Sequence, residues 1–387
     1  MSKFFHPLMH NNFSRSDITS VKNFLDKSKI LTSNKKVKEF EKKWSKWQGT
    51  KYSVFVNSGS SANLLSIAYL KTIFQSGEII VPTLTWSSDV SSVINSGFKP
   101  VFVDIDLKNL GAIENEIIKK INKKTIAVFL THVLGFNCLS LKLIKYLKSK
   151  KIILIEDCCE SHGAKIYDKK VGTLSEGSTF SSYFGHHMTT VEGGFVSTDD
   201  TELHELMRAK RSHGLARECS DEVYKKYIKR YPDVDKRFMF ITDGYNFRNN
   251  EFGAVLGLSQ LPRLDDMIKR RREVCDKFVS ILKKYDDIFH IPNFDGNSSF
   301  CLPFIAKDGY LRNDLQEHLE ACGVETRPLC SGNLLRQPFL SEYEVFKEFP
   351  KVDYLHYHGF FIGNNHLVTD EEIEKLGFIL DDYIRVL

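Results

Sequence analysis

A chain of 387 residues with 42% apolar, 27% charged and 12% aromatic residues carries enough apolar side chain for a large core, which excludes a disordered protein. The formal net charge of +5 is small for this length and its lysines are scattered, so duplex nucleic acid is not the expected partner, whereas an anionic small substrate is compatible. The opening "MSKFFHPLMHNNFSRSD" lacks a signal-type apolar stretch, no apolar run reaches the ~20 residues of a membrane span, and eight cysteines include no C-x-x-C pair; a cytoplasmic protein with reduced thiols is expected.

From residue 51 short apolar runs alternate with helix-like segments: "KYSVFV", "SANLLSIAYLKTIF", "EIIVP", "SSDVSSVIN", "KPVFVDID", "TIAVFLTHV", "LSLKLIKYLKSK" and "KIILIEDCC". This alternation predicts an α/β fold on a mainly parallel sheet. Ligands of such sheets bind beyond the carboxyl ends of the strands, which here read "NSGSS", "PTLTW", "DID", "THVLG" and "EDCCESHGA". Past Thr198 the pattern turns helical, with a polar stretch from Arg208 to Arg237 that periodicity does not assign. "EFGAVLGLSQLPRLDDMIKRRREVCDKFVSILKKY" predicts a long helix kinked near Pro262. The run "FCLPFIA" and helical patterns at Leu311–Cys322 and Glu371–Arg385 predict a smaller α+β unit. The expected division is 1–250 for a large unit that includes the N-terminal segment, and 251–387 for the linking helix with the small unit.

Four features carry chemistry. "NSGSSANLL" sets Ser58, Gly59, Ser60 and Ser61 at a helix start, where free N–H groups suit a phosphate and where serine also serves as an ordinary N-cap. Neither a P-loop nor a post-strand G-x-G-x-x-G is present, which disfavours nucleotide triphosphates and dinucleotides. Asp157, at the end of "KIILIE", either makes an ion pair or holds a protonated pyridine nitrogen; Trp86 either stacks on a flat ring or packs in the core. In "FSSYFGHHMTTVEGG" the adjacent His186 and His187 point in different directions and have no H-E-x-x-H context, so no metal site is expected.

In this order, "NSGSSANLL", "VPTLTW", "PVFVDID", "IEDCCESHGA", "SSYFGHHMTTVEGG", "RSHG", "GYNFRNNEFGAVLGLSQL" and "ETRPL" resemble the DegT/DnrJ/EryC1/StrS sugar aminotransferases, which use pyridoxal phosphate on the aspartate aminotransferase (type I) fold. In that family a lysine five residues after the phosphate-binding serine holds the cofactor. Here that position, counted from Ser181 or back from "TTVEGG", is His186, which has no primary amine. The resemblance therefore implies a noncovalent cofactor. It is closest to the branch of 3-dehydratases acting on GDP-4-keto-6-deoxy-D-mannose, where histidine replaces lysine and the cofactor works as pyridoxamine phosphate. Glu160, where aminotransferases commonly have glutamine, points the same way.

Further roles are implied by the resemblance alone. Gly59, Ser60 and Ser181 would bind the cofactor phosphate, Trp86 would stack on the pyridine, Asp157 would hold its nitrogen, and Glu160 would lie close to the ring. Asn246 would reach the phosphate in a neighbouring subunit, which implies a homodimer. His213 and Arg327 would contact the GDP-4-keto-6-deoxy sugar or the amino donor, L-glutamate. No C-x-C or comparable cysteine cluster occurs, so the iron–sulfur branch is not expected. Two other readings stay open: a sugar aminotransferase using another lysine such as Lys165, and a non-enzymatic binding protein on this fold.

Overall fold

The structure, a computed structural model, describes residues 4–343 and 348–387. Before the first strand come two amphipathic helices, α1 (Arg15–Lys27) and α2 (Lys35–Gln48). A reciprocal capping box between Ser14 and Asp17 starts α1, and Gly49 ends α2 with φ at 94°, a left-handed turn that glycine makes at little cost. Val37, Phe40 and Trp44 on one face of α2 are buried, and the Trp44 ring stacks on Phe195 at 4.5 Å.

The main sheet has seven strands. They are β1 (Tyr52–Val56), β2 (Glu78–Pro82), β3 (Lys99–Val103), β4 (Thr125–Thr131) and β5 (Ile153–Asp157), then, after a short hairpin β6 (Lys165–Ile166) and β7 (Lys169–Lys170), β8 (Gly177–Ser181) and β9 (Gly194–Thr198). Their order is β1-β9-β8-β5-β4-β2-β3, and only the pairs made by β9 are antiparallel. The central strands are nearly continuous apolar runs because helices cover both faces of the sheet. The connecting helices are α3 (Gly59–Leu70), α4 (Ser87–Asn95), α5 (Glu114–Lys120) and α6 (Leu141–Lys150). After the sheet come α7 (Thr201–Arg211) and, inside the stretch the sequence left unassigned, α8 (Asp221–Arg230), none of whose side chains is buried.

The expected long helix is present as α9 (Glu251–Gln260), a 3-10 turn at Leu261–Arg263, and α10 (Leu264–Leu282). Pro262 lacks the N–H a straight helix would use, so the axis breaks there. Beyond it, β10 (Cys301–Ile305), β11 (Thr326–Pro328) and β12 (Gly359–Gly363) form an antiparallel sheet in the order β10-β12-β11. It packs with α10, α11 (Gly309–Ala321) and α13 (Asp370–Arg385) around Phe278, Phe304, Leu319 and Phe360; α12 (Pro350–His358) leads into β12. The extreme N-terminal segment crosses to this unit: the amides of Phe5 and His6 donate to the Gly323 carbonyl at 2.9 and 3.2 Å.

Candidate active site

Parallel order in the sheet brings the carboxyl ends of β1, β8, β5, β4 and β2 to one side. The register pairs Thr131 with Asp157, Asp157 with Thr179, and Ser181 with Gly194. Asp157 and Ser181 therefore end neighbouring strands, and the start of α3 lies against them. The Ser58 hydroxyl accepts from the Ser61 amide at 3.0 Å, so the first-turn N–H groups of Gly59 and Ser60 are left for a partner outside the helix. Gly59 faces Ser181 directly: a Cβ at Gly59 would stand 2.8 Å from the Ser181 Cβ and 2.9 Å from the Cys159 Sγ. Only glycine lets the helix start approach this hydroxyl so closely. Two main-chain donors at the positive end of a helix, with a buried hydroxyl beside them, form a cradle that fits a phosphate.

Asp157 is buried and its two oxygens are separately engaged. Oδ1 accepts from the Cys159 amide at 2.7 Å and Oδ2 from Asn63 Nδ2 at 2.7 Å. This carboxylate is thus held at the floor of the pocket as a hydrogen-bond acceptor, the chemistry a protonated ring nitrogen needs. Glu160 accepts from the Leu134 amide at 2.7 Å, and burial, joined by the charge of Asp157, raises its pKa to about 7. That amide belongs to a residue in the left-handed region, φ 52°, so the contact holds a strained turn over the pocket. Trp86 is 53% exposed beside the start of α4, which removes the core-packing alternative for it. It has an open face of the kind a flat ring stacks on.

His186 and His187 part as adjacent residues should. His187 is fully buried and its Nε2 lies 3.0 Å from the Ser298 carbonyl oxygen. His186 is half-buried; Phe300 stacks on its imidazole at 4.9 Å with a 24° tilt. Burial depresses the pKa of His186 to about 4, Asp157 opposing and Arg271 reinforcing the shift, so the imidazole is neutral at pH 7 and free to accept a proton. Arg271, from α10, is fully buried and donates to the Phe300 carbonyl at 3.1 Å and to the Asn364 carbonyl, while its other terminal nitrogen lies 3.5 Å from the His186 carbonyl. His162 lies behind, 6.3 Å from His186 and 5.3 Å from His187, ring centre to ring centre.

The histidine group gives a pH prediction. Burial lowers the pKa of both His162 and His187 well below 6.5, with nearby positive charge adding to the effect. A depressed histidine pKa means that stability is fully present above the unfolded value near 6.5 and is lost as pH falls below it, by about 1.4 kcal/mol per pH unit for each such histidine. Thermal unfolding scans should therefore show Tm falling as pH drops below 6.5. A His162→Phe variant that still folds should show a shallower acid slope.

The remaining expected residues sit farther out. His213, φ 62°, is exposed, and its amide donates to the Tyr245 carbonyl at 2.7 Å; Asn246 is exposed and bridges to Ser212. The structure brings these two together on the outer surface. Arg327 stands exposed on the edge strand β11 with its guanidinium on Glu325 at 2.9 Å. Lys165 is exposed on the β6–β7 hairpin. Sequence reasoning did not single out Asn63, Asp89, His162 or Arg271; the available signal was a polar residue set among apolar helical positions, as Asn63 is in "SSANLLSIAYL".

Residues 12–380 match the DegT/DnrJ/EryC1/StrS aminotransferase family. The chain is 34% identical to a GDP-4-keto-6-deoxy-D-mannose 3-dehydratase of Yersinia pseudotuberculosis, over 97% of this chain and 98% of that one. Among solved structures, the Escherichia coli GDP-4-keto-6-deoxy-D-mannose-3-dehydratase with bound hydrated PLP superposes with a TM-score of 0.87 at 32% identity, covering 97% of this chain and 99% of that one. A GDP-4-keto-6-deoxymannose-3-dehydratase with a trapped PLP–glutamate geminal diamine gives 0.86 at 32% identity, covering 97% and 100%. With the family match spanning nearly its whole length, this chain belongs to the DegT/DnrJ/EryC1/StrS aminotransferase family.

Proposed function

We propose that the protein is a pyridoxamine-phosphate-dependent nucleotide-sugar 3-dehydratase. It removes the C3 hydroxyl of GDP-4-keto-6-deoxy-D-mannose to give the 4-keto-3,6-dideoxy sugar, with L-glutamate as amino donor. One observation carries the reading: the residue at the cofactor-lysine position is a half-buried, neutral histidine within electrostatic reach of the buried Asp157 carboxylate. Relatives that share this length of sequence are named for that reaction, and one solved relative holds a PLP–glutamate adduct.

When bound, the cofactor supplies an amine for the C4 ketone of the sugar and an electron sink in its ring. The residues of this chain do the rest. Gly59, Ser60 and Ser181 hold the phosphate, Trp86 covers the ring, and Asp157 keeps the ring nitrogen protonated. Glu160 would lie close to the ring, its pKa of about 7 leaving it poised between acid and base at neutral pH. His186, neutral at rest, would take up a proton released from carbon and pass it to the departing C3 oxygen, a two-way role open to an imidazole because the same ring nitrogen can accept and return a proton. A lysine there would also hold the cofactor covalently and favour transfer of nitrogen. His186 lacks that option.

Around this site we place the cofactor-binding unit in residues 1–250 and the linking helix with the small unit in 251–387. Two copies form a homodimer in which Asn246 of each reaches the phosphate site of the other; the exposure of Asn246 and of the nearby Phe240 and Phe252, 58% and 40%, supports this. His213 and Arg327 serve the sugar nucleotide or glutamate. Among the described residues no helix is long and apolar enough to cross a membrane, and we place the reaction in the cytoplasm.

Borohydride reduction tests the reading. Loaded with pyridoxal phosphate, freed of the unbound excess and then treated with borohydride, the resting protein should keep its unmodified mass. A covalent cofactor–lysine adduct, on Lys165 or elsewhere, would mark an aminotransferase instead.

A further inference from the structure

Behind Asp157 lies a second carboxyl group that the reaction as described does not use. Asp89, in the first turn of α4, is fully buried. Asn63 joins the two: its Nδ2 is 2.6 Å from Asp89 Oδ1 and 2.7 Å from Asp157 Oδ2, with the Ser88 hydroxyl at 3.2 Å. Asp89 Oδ2 lies 2.6 Å from the Thr131 hydroxyl and also contacts the Thr85 hydroxyl, and those two hydroxyls, each able to donate or accept, are 2.6 Å apart. Among the described residues no salt bridge joins either carboxyl to lysine or arginine.

Two ionised carboxylates cannot share one neutral amide in a dry site without a cation, because each pays desolvation and repels the other. One proton must stay with the pair. Geometry says where. Asp157 opens toward the pocket and already has a main-chain N–H on one oxygen, which favours its ionised form, whereas Asp89 is sealed behind it among hydroxyls that can accept as well as donate. Burial first, and the charge of Asp157 second, push the Asp89 carboxyl well above the usual range.

We propose that Asp89 is the protonated member of a one-proton carboxyl pair, a positioning residue that keeps Asp157 ionised and, through Asn63, aims it at the cofactor ring nitrogen. The pair then carries a single negative charge, the complement of one pyridinium. Its second half rests on the cofactor reading given above; the shared proton does not.

The groups facing the pair are the Cys159 and Cys330 thiols, both pushed well up, Glu160 at about 7 and His186 at about 4. Glu160→Gln removes the other raised carboxyl, so a buried carboxylic acid can be seen alone at neutral pH. Infrared spectra of the full cofactor-free Glu160→Gln chain at that pH should contain a carboxylic acid C=O band that vanishes in Glu160→Gln with Asp89→Asn. Absence of the band from Glu160→Gln, or its persistence when Asp89→Asn is added, overturns the proton assignment. For the positioning role, Asp89→Leu should weaken pyridoxal phosphate binding at least about tenfold, the scale of one lost buried hydrogen-bond network. Asp89→Asn, isosteric with the neutral acid, should recover most of that loss. Equal losses in the two variants would overturn the role. Pyridoxal phosphate titration of the wild type reports separately on the cofactor reading, so the two cannot be confused.

Discussion

Replacing His186 with asparagine should lower kcat for dehydration by about 10²- to 10⁴-fold, the usual contribution of one positioned acid–base group. Asparagine keeps a polar side chain of similar reach but cannot carry a proton between atoms. The KM for the sugar nucleotide should move far less than kcat, since the loss is in the transition state and not in ground-state binding. His186→Lys separates two roles that a histidine cannot combine. It restores a primary amine at the cofactor, so borohydride should now trap a covalent adduct while dehydration is lost. Steady-state kinetics with the product followed by mass spectrometry measures both. An asparagine variant with undiminished turnover would show that His186 is not the base.

The second large effect belongs to Asp157. Asp157→Asn can keep only one of the hydrogen bonds from Asn63 and Cys159, its amide nitrogen facing the other donor, and it removes the charge that stabilises a protonated ring nitrogen. Breaking a buried charge pair costs about 3–5 kcal/mol, so kcat/KM should fall by about 10²- to 10³-fold or more. The absorbance of the bound cofactor should change as its nitrogen loses the proton at neutral pH, which titration by spectrophotometry detects directly. Unlike His186→Asn, this variant should weaken cofactor binding and catalysis together. A variant with wild-type spectrum and turnover would remove Asp157 from the site.

Asp157 was legible in the sequence for a physical reason: it ends a short apolar run, and a buried parallel strand announces itself by such a run, so "KIILIED" marks a strand end where ligands bind. The helix break at Pro262 was legible because proline's missing N–H acts locally. His186 stood out by its place in a pattern, and the structure adds what the pattern could not: its half-burial, its stacking on Phe300 and the guanidinium of Arg271 behind it.

Other parts depend on contacts between distant segments and left little local trace. Asp89 and Asn63 are 26 positions apart and each reads as one polar residue in a helix; only the packing of α3 and α4 on β4 and β5 joins them to Asp157. The helices α1 and α2 precede the alternating pattern. In α2 the buried Val37, Phe40 and Trp44 are spread among lysines and glutamates, so its core-facing stripe is thin. Trp86 shows the limit of composition: a single tryptophan packs in most cores, and only its place past the end of β2 leaves it exposed.

The central claim is that a histidine at the lysine position turns nitrogen transfer into oxygen removal. Incubating the purified protein with pyridoxal phosphate, L-glutamate and GDP-4-keto-6-deoxy-D-mannose, and weighing the sugar nucleotide by mass spectrometry while assaying ammonia, tests it most directly. The account predicts a nucleotide sugar lighter by one oxygen atom and one ammonia released per turnover. A 4-amino sugar formed without ammonia, or an unchanged substrate, would contradict it.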